Sequence, residues 1–287
     1  MTTTATSAPE EGTDDPLAAL RAAARARTAE REASRAEHAQ RRRTDAGRPR
    51  RSVAELREIA ARGQAELGGS GIGADDEASA EQVIAWAVRE FGTKIGVASS
   101  MTDAILPHLV STHAPWVDIL FLDTGYHFPE TLGTRDAVAS TLNVNLVNIT
   151  PRETVAEQDA SRGKDLFARD PGECCRLRKV EPLHETLGGY EVWVAGVRRD
   201  ESWTRAQTPL VTFDEKNGLV KINPIAAWTY DDAVAYAEKH QVIVNPLLND
   251  GYPSIGCAPC TQRVAPGADP RSGRWAGLDK TECGINE

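Results

Sequence analysis

The stretch Val117-Asp118-Ile119-Leu120-Phe121-Leu122, followed at once by Asp123-Thr124-Gly125, decides the fold class. Nearly every residue of the run is apolar, which is typical of a parallel strand buried on both faces of a sheet. The run ends in a polar turn. The next segment, 129–141, is predicted to be a helix, because its leading proline is tolerated in a first helical turn. This strand, turn and helix indicate an α/β protein.

The same alternation continues in both directions along the chain. Further strands are predicted at 93–98, 144–149 and 192–195, and a hairpin is predicted from the runs 210–213 and 219–222. Strands that alternate with helices predict a doubly wound, mostly parallel sheet whose ligands bind at the carboxyl ends of the strands. The polar turns that follow these strands should therefore gather at one edge of the sheet.

The chain divides into three segments. Residues 1–51 hold eleven Arg and no Lys against eight acidic residues, and they contain few large apolar side chains. Such a segment cannot bury a core, so we predict a disordered or transiently helical extension that can be removed without loss of activity or melting temperature. A capping-box pattern at Ser52 marks the start of an α/β domain over 52–248. Residues 249–287 are predicted to be an irregular segment with a mobile tail.

Composition argues against several classes of protein. The net charge of −9 is unlike that of a general nucleic-acid binder, although the arginine-rich residues 1–51 leave a nucleic-acid-binding arm as an alternative for that segment. No apolar run approaches the ~20 residues that a membrane span needs. The amino end does not resemble a secretory signal. Cysteines without such a signal suggest a reducing cytoplasm, where metal binding or catalysis is commoner than disulfides.

The five cysteines form two pairs and a single residue. Cys174 and Cys175 are adjacent, Cys257 and Cys260 form a Cys-x-x-Cys pattern, and Cys283 lies four residues from the end. Four thiolates suit zinc or an iron–sulfur cluster. The alternative is that the first pair consists of small buried side chains, but the ligand-like spacing of the second pair argues against it.

Three cations follow the first cysteine pair directly. If Cys175 opens a helix, Lys179 lies one turn further along the same face. The helix amino end and the added charges of Arg176, Arg178 and Lys179 then favour thiolates over thiols. Positive charge of this density also suits a polyanionic substrate, so Lys179 is a candidate for linking the cysteine site to substrate. Arg176 and Arg178 could instead form a solvated helix face.

The segment Ser99-Ser100-Met101-Thr102-Asp103 joins a predicted strand to a predicted helix. Backbone N–H groups, hydroxyls and a helix dipole at such a junction can bind phosphate. The segment has neither the Walker pattern nor Gly-x-Gly-x-x-Gly. Serines that only cap the helix are therefore the alternative.

Seven motifs complete the sequence evidence: Leu122-Asp-Thr-Gly125, Phe128-Pro-Glu-Thr131, Cys174-Cys175-Arg-Leu-Arg-Lys179, Gly196-Val-Arg-Arg-Asp200, Ile255-Gly-Cys-Ala-Pro-Cys260, Gly273-Arg-Trp275 and Lys280-Thr-Glu-Cys-Gly284. Through them the chain, from about residue 79 to the end, resembles the assimilatory adenylyl-sulfate (APS) reductases, relatives of the phosphoadenylyl-sulfate (PAPS) reductases. The paired cysteines mark the APS branch. The phosphate loop is shorter than the usual family form, so the role of each loop residue stays open.

The resemblance implies a fold and a set of site residues. The fold is an adenine nucleotide alpha hydrolase-like sheet, with a nucleotide-binding reductase domain over 52–248 and a cluster-binding loop and catalytic tail over 249–287. The implied ligands of a [4Fe–4S] cluster are Cys174, Cys175, Cys257 and Cys260, and the implied nucleophile is Cys283. The implied substrate-binding residues are Ser99, Ser100, Lys179, Arg205, Arg271 and Arg274.

The resemblance also implies an activity: reduction of APS to sulfite and AMP through an S-sulfocysteine on Cys283, with thioredoxin as electron donor, in sulfate assimilation for cysteine biosynthesis. PAPS as substrate is the first alternative, and it would require extra basic groups for the 3′-phosphate. A non-enzymatic iron–sulfur or zinc redox module is the second, but the phosphate loop, the arginine-rich tail and the lone thiol argue against it. The sequence leaves the oligomeric state open, including a homo-oligomer.

Overall fold

The computed structural model, which describes residues 16–278, 280 and 282–285, is built on a six-stranded sheet. The strands are β1 (Ile95–Ala98), β2 (Asp118–Leu122), β3 (Asn145–Ile149), β4 (Val192–Val194), β5 (Val211–Asp214) and β6 (Leu219–Ile222). Their order across the sheet is β3-β2-β1-β4-β6-β5, and β5 alone runs antiparallel to its neighbour. The predicted doubly wound, mostly parallel sheet and its terminal hairpin are confirmed.

Helices surround the sheet, and the two that the sequence predicted after Ser52 and at 129–141 are confirmed. The helices are α1 (Pro16–Ala46), α2 (Val53–Leu67), α3 (Ala80–Phe91), α4 (Ile105–His113), α5 (Pro129–Thr141), α6 (Val155–Arg162), α7 (Leu166–Arg169), α8 (Pro171–Cys175), α9 (Glu181–Leu187) and α10 (Tyr230–His240). The capping box at Ser52 is present, with the side chain accepting a hydrogen bond from the Glu55 N–H. Within the described residues, no helix has the length and apolar character needed to cross a membrane.

Strand β1 lies at the centre of the sheet and fixes the position of the site. Gly96 is in register with Asp118 of β2 on one side and with Trp193 of β4 on the other, and both pairings are parallel. The chain order reverses between β1 and β4, which in open α/β sheets is where ligands bind. The loops that follow β1, β2 and β4 consequently leave the sheet at one edge.

The amino-terminal segment differs from the sequence prediction. In place of a disordered or transiently helical extension, residues 16–46 form the helix α1, while residues 1–15 lie outside the described part of the chain. The helix docks by polar contacts: Arg42 Nη1 lies 2.6 Å from Asp118 Oδ1, and the Trp116 indole N–H donates to Ser34 Oγ at 3.1 Å. Apolar content does not predict this kind of docking, because long arginine side chains form the contacts.

The segment after α1 also neutralises a buried carboxylate. Glu191 is fully buried just before β4. It accepts a hydrogen bond from the Arg51 backbone N–H at 2.9 Å, and Arg48 Nη2 lies 3.3 Å from its other oxygen. A buried carboxylate that loses its cations is strongly destabilised. The amino-terminal segment is therefore part of the folded structure.

We expect a chain that starts at Ser52 to be less stable than the full chain. The truncation removes Arg48 and Arg51 and leaves Glu191 buried without these two cations. The expected loss is roughly 3–5 kcal/mol, the range for breaking a buried ion pair. Urea unfolding followed by circular dichroism measures it.

The matched control is Arg57→Ala, which removes an exposed ion pair with Glu215 at 2.7 Å. Its cost should stay below about 1 kcal/mol, as for other surface pairs. An unchanged unfolding midpoint for the truncated chain would instead restore the view that residues 1–51 are dispensable.

Candidate active site

A cavity of about 340 Å³ opens at the carboxyl ends of β1, β2 and β4. Its size is within the range of small-molecule sites. All residues predicted to bind substrate or attack it line this cavity: Ser99, Ser100, Lys179, Arg205, Arg271, Arg274 and Cys283. Residues that lie up to 184 positions apart in the chain, from Ser99 to Cys283, thus share one chamber.

The loop after β1 brings hydroxyl and N–H groups to the cavity. The Ser99 N–H donates to the Leu120 carbonyl at 3.1 Å, which anchors the loop to β2. Met101 is fully buried at φ 59°, a left-handed conformation that reverses the chain direction. Ser100 and Thr102 hydroxyls lie 3.1 Å apart beside the cavity. The loop ends at α4, so both hydroxyls lie near a helix amino terminus.

Lys179 connects the cavity with the cysteines. It lines the cavity and also a small cleft formed by the four paired cysteines. Burial alone lowers the pKa of Lys179, but negative charge on the Cys257, Cys283 and Cys175 sulfurs outweighs burial and raises it. The ammonium group therefore stays charged between the cleft and the cavity.

Arg274 lies between the Cys-x-x-Cys loop and the cavity. Its Nη1 donates to Ser254 Oγ and to the Ile255 carbonyl, both at 3.3 Å, and its guanidinium stacks on Trp275 at 4.6 Å from the ring centroid. The guanidinium packs so closely on Gly256 that a Cβ there would lie 2.3 Å from Nη2. Gly256 is thus required for the placement of Arg274.

Arg205 and Arg271 meet at the carboxylate of Glu282. Arg205 donates from Nε and Nη2 to the two Glu282 oxygens at 3.0 Å each, and Arg271 Nη2 lies 3.1 Å from Oε2. Arg205 also pairs with Glu201. Glu282 immediately precedes Cys283, so these contacts hold the tail thiol at the cavity.

Two further contacts hold the tail. Lys216, in the β5–β6 turn, donates from Nζ to the Gly284 carbonyl at 3.0 Å. Ile285 packs against the hydrophobic core. Residues 282–285 of the tail are therefore docked against the protein in this structure, and the mobility of the tail stays a prediction.

The paired cysteines line one cleft together with Tyr126, Phe167, Pro171, Arg178 and Lys179. Cys174, Cys175 and Cys257 are each 7% exposed, and Cys260 is half-buried. The Thr124 hydroxyl lies 3.2 Å from Cys257 Sγ, and the Ala258 N–H donates to the Tyr126 carbonyl at 2.7 Å. The loop after β2 thereby holds the Cys-x-x-Cys segment against α8.

The helix at the first cysteine pair differs in its start from the one predicted. Cys175 closes α8 instead of opening it, and the chain continues through a π-helical turn, Arg176–Val180, into α9. The helix opens at Pro171, where Asp170 accepts a hydrogen bond from the Glu173 N–H at 2.9 Å. Both cysteines still lie within the first turns of a helical segment.

The two arginines between Cys175 and Lys179 have other partners. Arg176 is half-exposed and pairs with Glu173 and Glu181, as expected for a solvated helix face. Arg178 is buried and donates to the Thr124 carbonyl at 2.6 Å and to Gln158 Oε1 at 3.0 Å. Of the three cations, Lys179 alone lines both cavity and cleft.

The chemistry of the cleft suits a metal group. Burial raises the pKa of the Cys174 thiol to about 12 and that of Cys260 to about 11, so both stay protonated unless a metal displaces the protons. Among the described residues, no three His, Cys, Asp or Glu side chains converge on one point suitable for a single ion. The four thiols that line the cleft are ligands suited to a zinc ion or to an iron–sulfur cluster.

Sequence reasoning missed several residues of the site. Trp193 lines the cavity but was predicted only as a strand residue. Glu282 and Thr124 lie within the quoted motifs but were given no role. Their contacts join segments far apart in the chain, and no local pattern encodes such contacts.

Comparison with known proteins identifies the family of the chain. The family model for the phosphoadenosine phosphosulfate reductase domain matches residues 94–263. The adenosine 5'-phosphosulfate reductase of Mycolicibacterium smegmatis is 59% identical over 232 residues, covering 81% of this chain and 95% of its own. The protein of the same name in Streptomyces coelicolor is 54% identical over 236 residues, covering 82% and 97%.

A solved structure has the same fold. The phosphoadenylyl-sulfate (PAPS) reductase from Candida auris, determined as a phosphate complex, superposes with a TM-score of 0.56 at 27% identity over 66% of this chain and 91% of its own. The adenine nucleotide alpha hydrolase-like sheet is confirmed. The chain belongs to the phosphoadenosine phosphosulfate reductase family, and within it to the adenosine 5'-phosphosulfate reductases.

Proposed function

We propose that this protein reduces APS to sulfite and AMP, with Cys283 as nucleophile and thioredoxin as electron donor. The observation that carries the proposal is that the tail thiol shares one cavity with a phosphate-type loop and the four basic side chains predicted to bind substrate. A phosphosulfate anhydride needs this combination of anion-binding groups and a soft nucleophile. The names of the two relatives reported above support APS as the substrate.

The residues of the cavity divide between binding and chemistry. The Ser99–Ser100 loop would bind the phosphate through N–H groups and hydroxyls at the start of α4. Lys179, Arg205, Arg271 and Arg274 would neutralise the phosphate and sulfate charges. The adenosine would lie in the apolar part of the same cavity, which Leu106, Phe121 and Ile225 help to line.

The reaction has two stages: transfer of the sulfonate group from APS to Cys283, and release of sulfite by reduced thioredoxin. The Cys283 thiolate attacks the sulfur of APS, and the S–O bond to the phosphate breaks with its electron pair on AMP. Cys283 then carries an S-sulfonate. A thiolate of thioredoxin attacks Cys283 Sγ and expels sulfite, and its second thiolate closes the thioredoxin disulfide and restores Cys283.

The electron donor follows from the cysteine count. Cys283 is the one cysteine of the five outside the paired set, so the chain offers no resolving thiol of its own once the other four bind a metal group. An external dithiol is required, and thioredoxin, at about −270 mV, is suitable. Such chemistry requires a reducing compartment, so we assign the protein to the cytoplasm.

Cys174, Cys175, Cys257 and Cys260 would hold a [4Fe–4S] cluster in the cleft. Three buried thiols and one half-buried thiol next to a charged Lys179 fit such a group. When bound, the cluster supplies a fixed set of metal and thiolate charges beside the substrate cavity. Lys179 lines both the cleft and the substrate cavity, so its ammonium group would couple the charge of the cluster electrostatically to the substrate.

The first prediction concerns the substrate. APS with reduced thioredoxin should yield sulfite at a much higher rate than PAPS, because the relatives that are 59% and 54% identical to this chain are named for APS. Parallel sulfite-release assays at equal substrate concentration measure the difference. A preference for PAPS would overturn the APS assignment, and no sulfite from either substrate would favour a redox module without this activity.

The second prediction concerns the thiol. Cys283→Ser should keep the metal group and still bind APS, since neither the paired cysteines nor the arginines change. Turnover should be abolished, because a serine hydroxyl is scarcely ionised at neutral pH. Wild-type protein given APS alone should gain one sulfonate on the peptide containing Cys283, and reduced thioredoxin should remove it. Normal turnover of the serine variant, or an adduct on another residue, would refute the mechanism.

The third prediction concerns the metal. Protein purified without oxygen should be brown and contain about four iron atoms and acid-labile sulfide per chain, as expected for a cubane cluster. Replacement of Cys257 by Ala should remove the colour, whereas Cys283→Ser should retain it. One zinc per chain and no sulfide would contradict the cluster.

A further inference from the structure

Lys221 is a half-buried lysine of β6 to which the proposed mechanism gives no role. Its neighbour in register on β4 is Trp193, and Lys221 Nζ lies 4.6 Å from the centroid of the Trp193 ring. Neighbours in register share one face of a sheet. Because Trp193 lines the substrate cavity together with Cys283, Lys221 is held beside the wall of that cavity.

The docked tail contacts the hairpin that carries Lys221. Lys216, in the turn of this hairpin, donates from Nζ to the Gly284 carbonyl at 3.0 Å. The negative charges of Cys283 and Glu282 both act on Lys221. The hairpin therefore presents one lysine to the backbone of the tail and a second to the side chains at the nucleophile.

The groups that surround Lys221 come from three parts of the fold and determine its charge. Burial is the largest influence, and with the charge of Arg205 it lowers the pKa of Lys221 to about 8, although Asp214 of β5 and the tail residues Cys283 and Glu282 act in the opposite direction. At neutral pH the side chain is thus a cation. It loses this charge as the pH rises through the pKa.

A sulfur anion at Cys283 needs more positive charge than Lys179 alone supplies. Lys179 also interacts with Cys283, but its largest charge interaction is with the Cys257 sulfur in the cleft. The carboxylate of Glu282, next to Cys283 in the chain, disfavours a second negative charge nearby. A cation on the hairpin side of the cavity would offset that repulsion.

We propose that Lys221 is a positioning residue for the nucleophile, whose ammonium group faces the docked tail and stabilises the anionic form of Cys283. This inference rests on the proposed function, because it takes Cys283 as the attacking thiol. The thiol loses its proton to solvent, and no bond forms between the two side chains. The alternative is that Lys221 only packs on Trp193 as a cation–π pair.

Alkylation by iodoacetamide, which requires the thiolate, tests the proposal on the metal-loaded protein, with Cys283 identified by peptide mapping. At pH 7, Lys221→Met should slow the labelling of Cys283 roughly tenfold, the low end of the effect of a neighbouring opposite charge. Lys221→Arg should be labelled at nearly the wild-type rate, because it keeps the charge. The matched control is Lys239→Met, which removes an exposed lysine of α10 and should behave as wild type.

The pH dependence of labelling separates an effect of charge from an effect of access. The ratio of the wild-type rate to the Lys221→Met rate should fall towards one above about pH 9, because the pKa of Lys221 is about 8 and an ordinary thiol, of pKa about 8.5, ionises there without help. A change in tail docking would alter the rate by the same factor at every pH. A loosened tail would speed labelling instead of slowing it.

Equal labelling of wild type and Lys221→Met at pH 7 overturns the proposal, as does a ratio that does not change with pH. Lys221→Gln is a second neutral variant that decides in the same way if Lys221→Met fails to fold.

Transfer of sulfonate from APS, without thioredoxin, is followed by intact mass on the same preparations. It should slow in the neutral variants by about the factor seen in labelling, roughly tenfold. Transfer at the same rate in wild type and neutral variants refutes the role of Lys221 and leaves the proposed function standing. A labelling difference with no transfer in the wild type refutes the proposed function and retains the effect of Lys221 on the thiol.

Discussion

The parallel pairing of β1 with both β2 and β4 is the constraint on which the rest of the structure depends. It places three loops at one edge of the sheet, and the segments that carry the chemistry attach to those loops. The loop after β1 supplies hydroxyls, and the loop after β2 holds the Cys-x-x-Cys segment through Tyr126 and Thr124. A shift in the register of β1 would separate these groups.

The cavity at this edge of the sheet is lined by cations that are balanced by anionic groups of the protein. Lys179, Arg205, Arg271 and Arg274 lie around one cavity, and cations held this close repel one another unless anions lie among them. Sulfur atoms face Lys179, and carboxylates of Glu201 and Glu282 face the arginines. The site is therefore preorganised for an anion, and its free state contains an anion supplied by the chain itself.

The sequence was sufficient to predict the sheet, its strands, the starts of α2 and α5, and seven of the residues that line the cavity. The apolar run 117–122 predicts a strand and the capping box at Ser52 predicts a helix start. Both patterns depend only on residues close together in the chain, and both elements are present in the structure. The docking of the amino-terminal segment could not be predicted in this way, because Arg42 and Arg48 contact Asp118 and Glu191, which lie 76 and 143 positions further along the chain. The same holds for Glu282 and Arg205, which are 77 positions apart. The roles of the cysteines and of each cavity residue remain predictions.

The amino-terminal contacts have a consequence for folding kinetics. Arg48 and Arg51 leave the ribosome about 140 residues before Glu191, so their contacts cannot form during early synthesis. Contacts between distant segments are slow to form because loop closure costs entropy. We expect the arginines to dock after the sheet has assembled. Interactions that are absent from the folding transition state act mainly on the unfolding rate, so this segment should extend the lifetime of the native protein without speeding its folding.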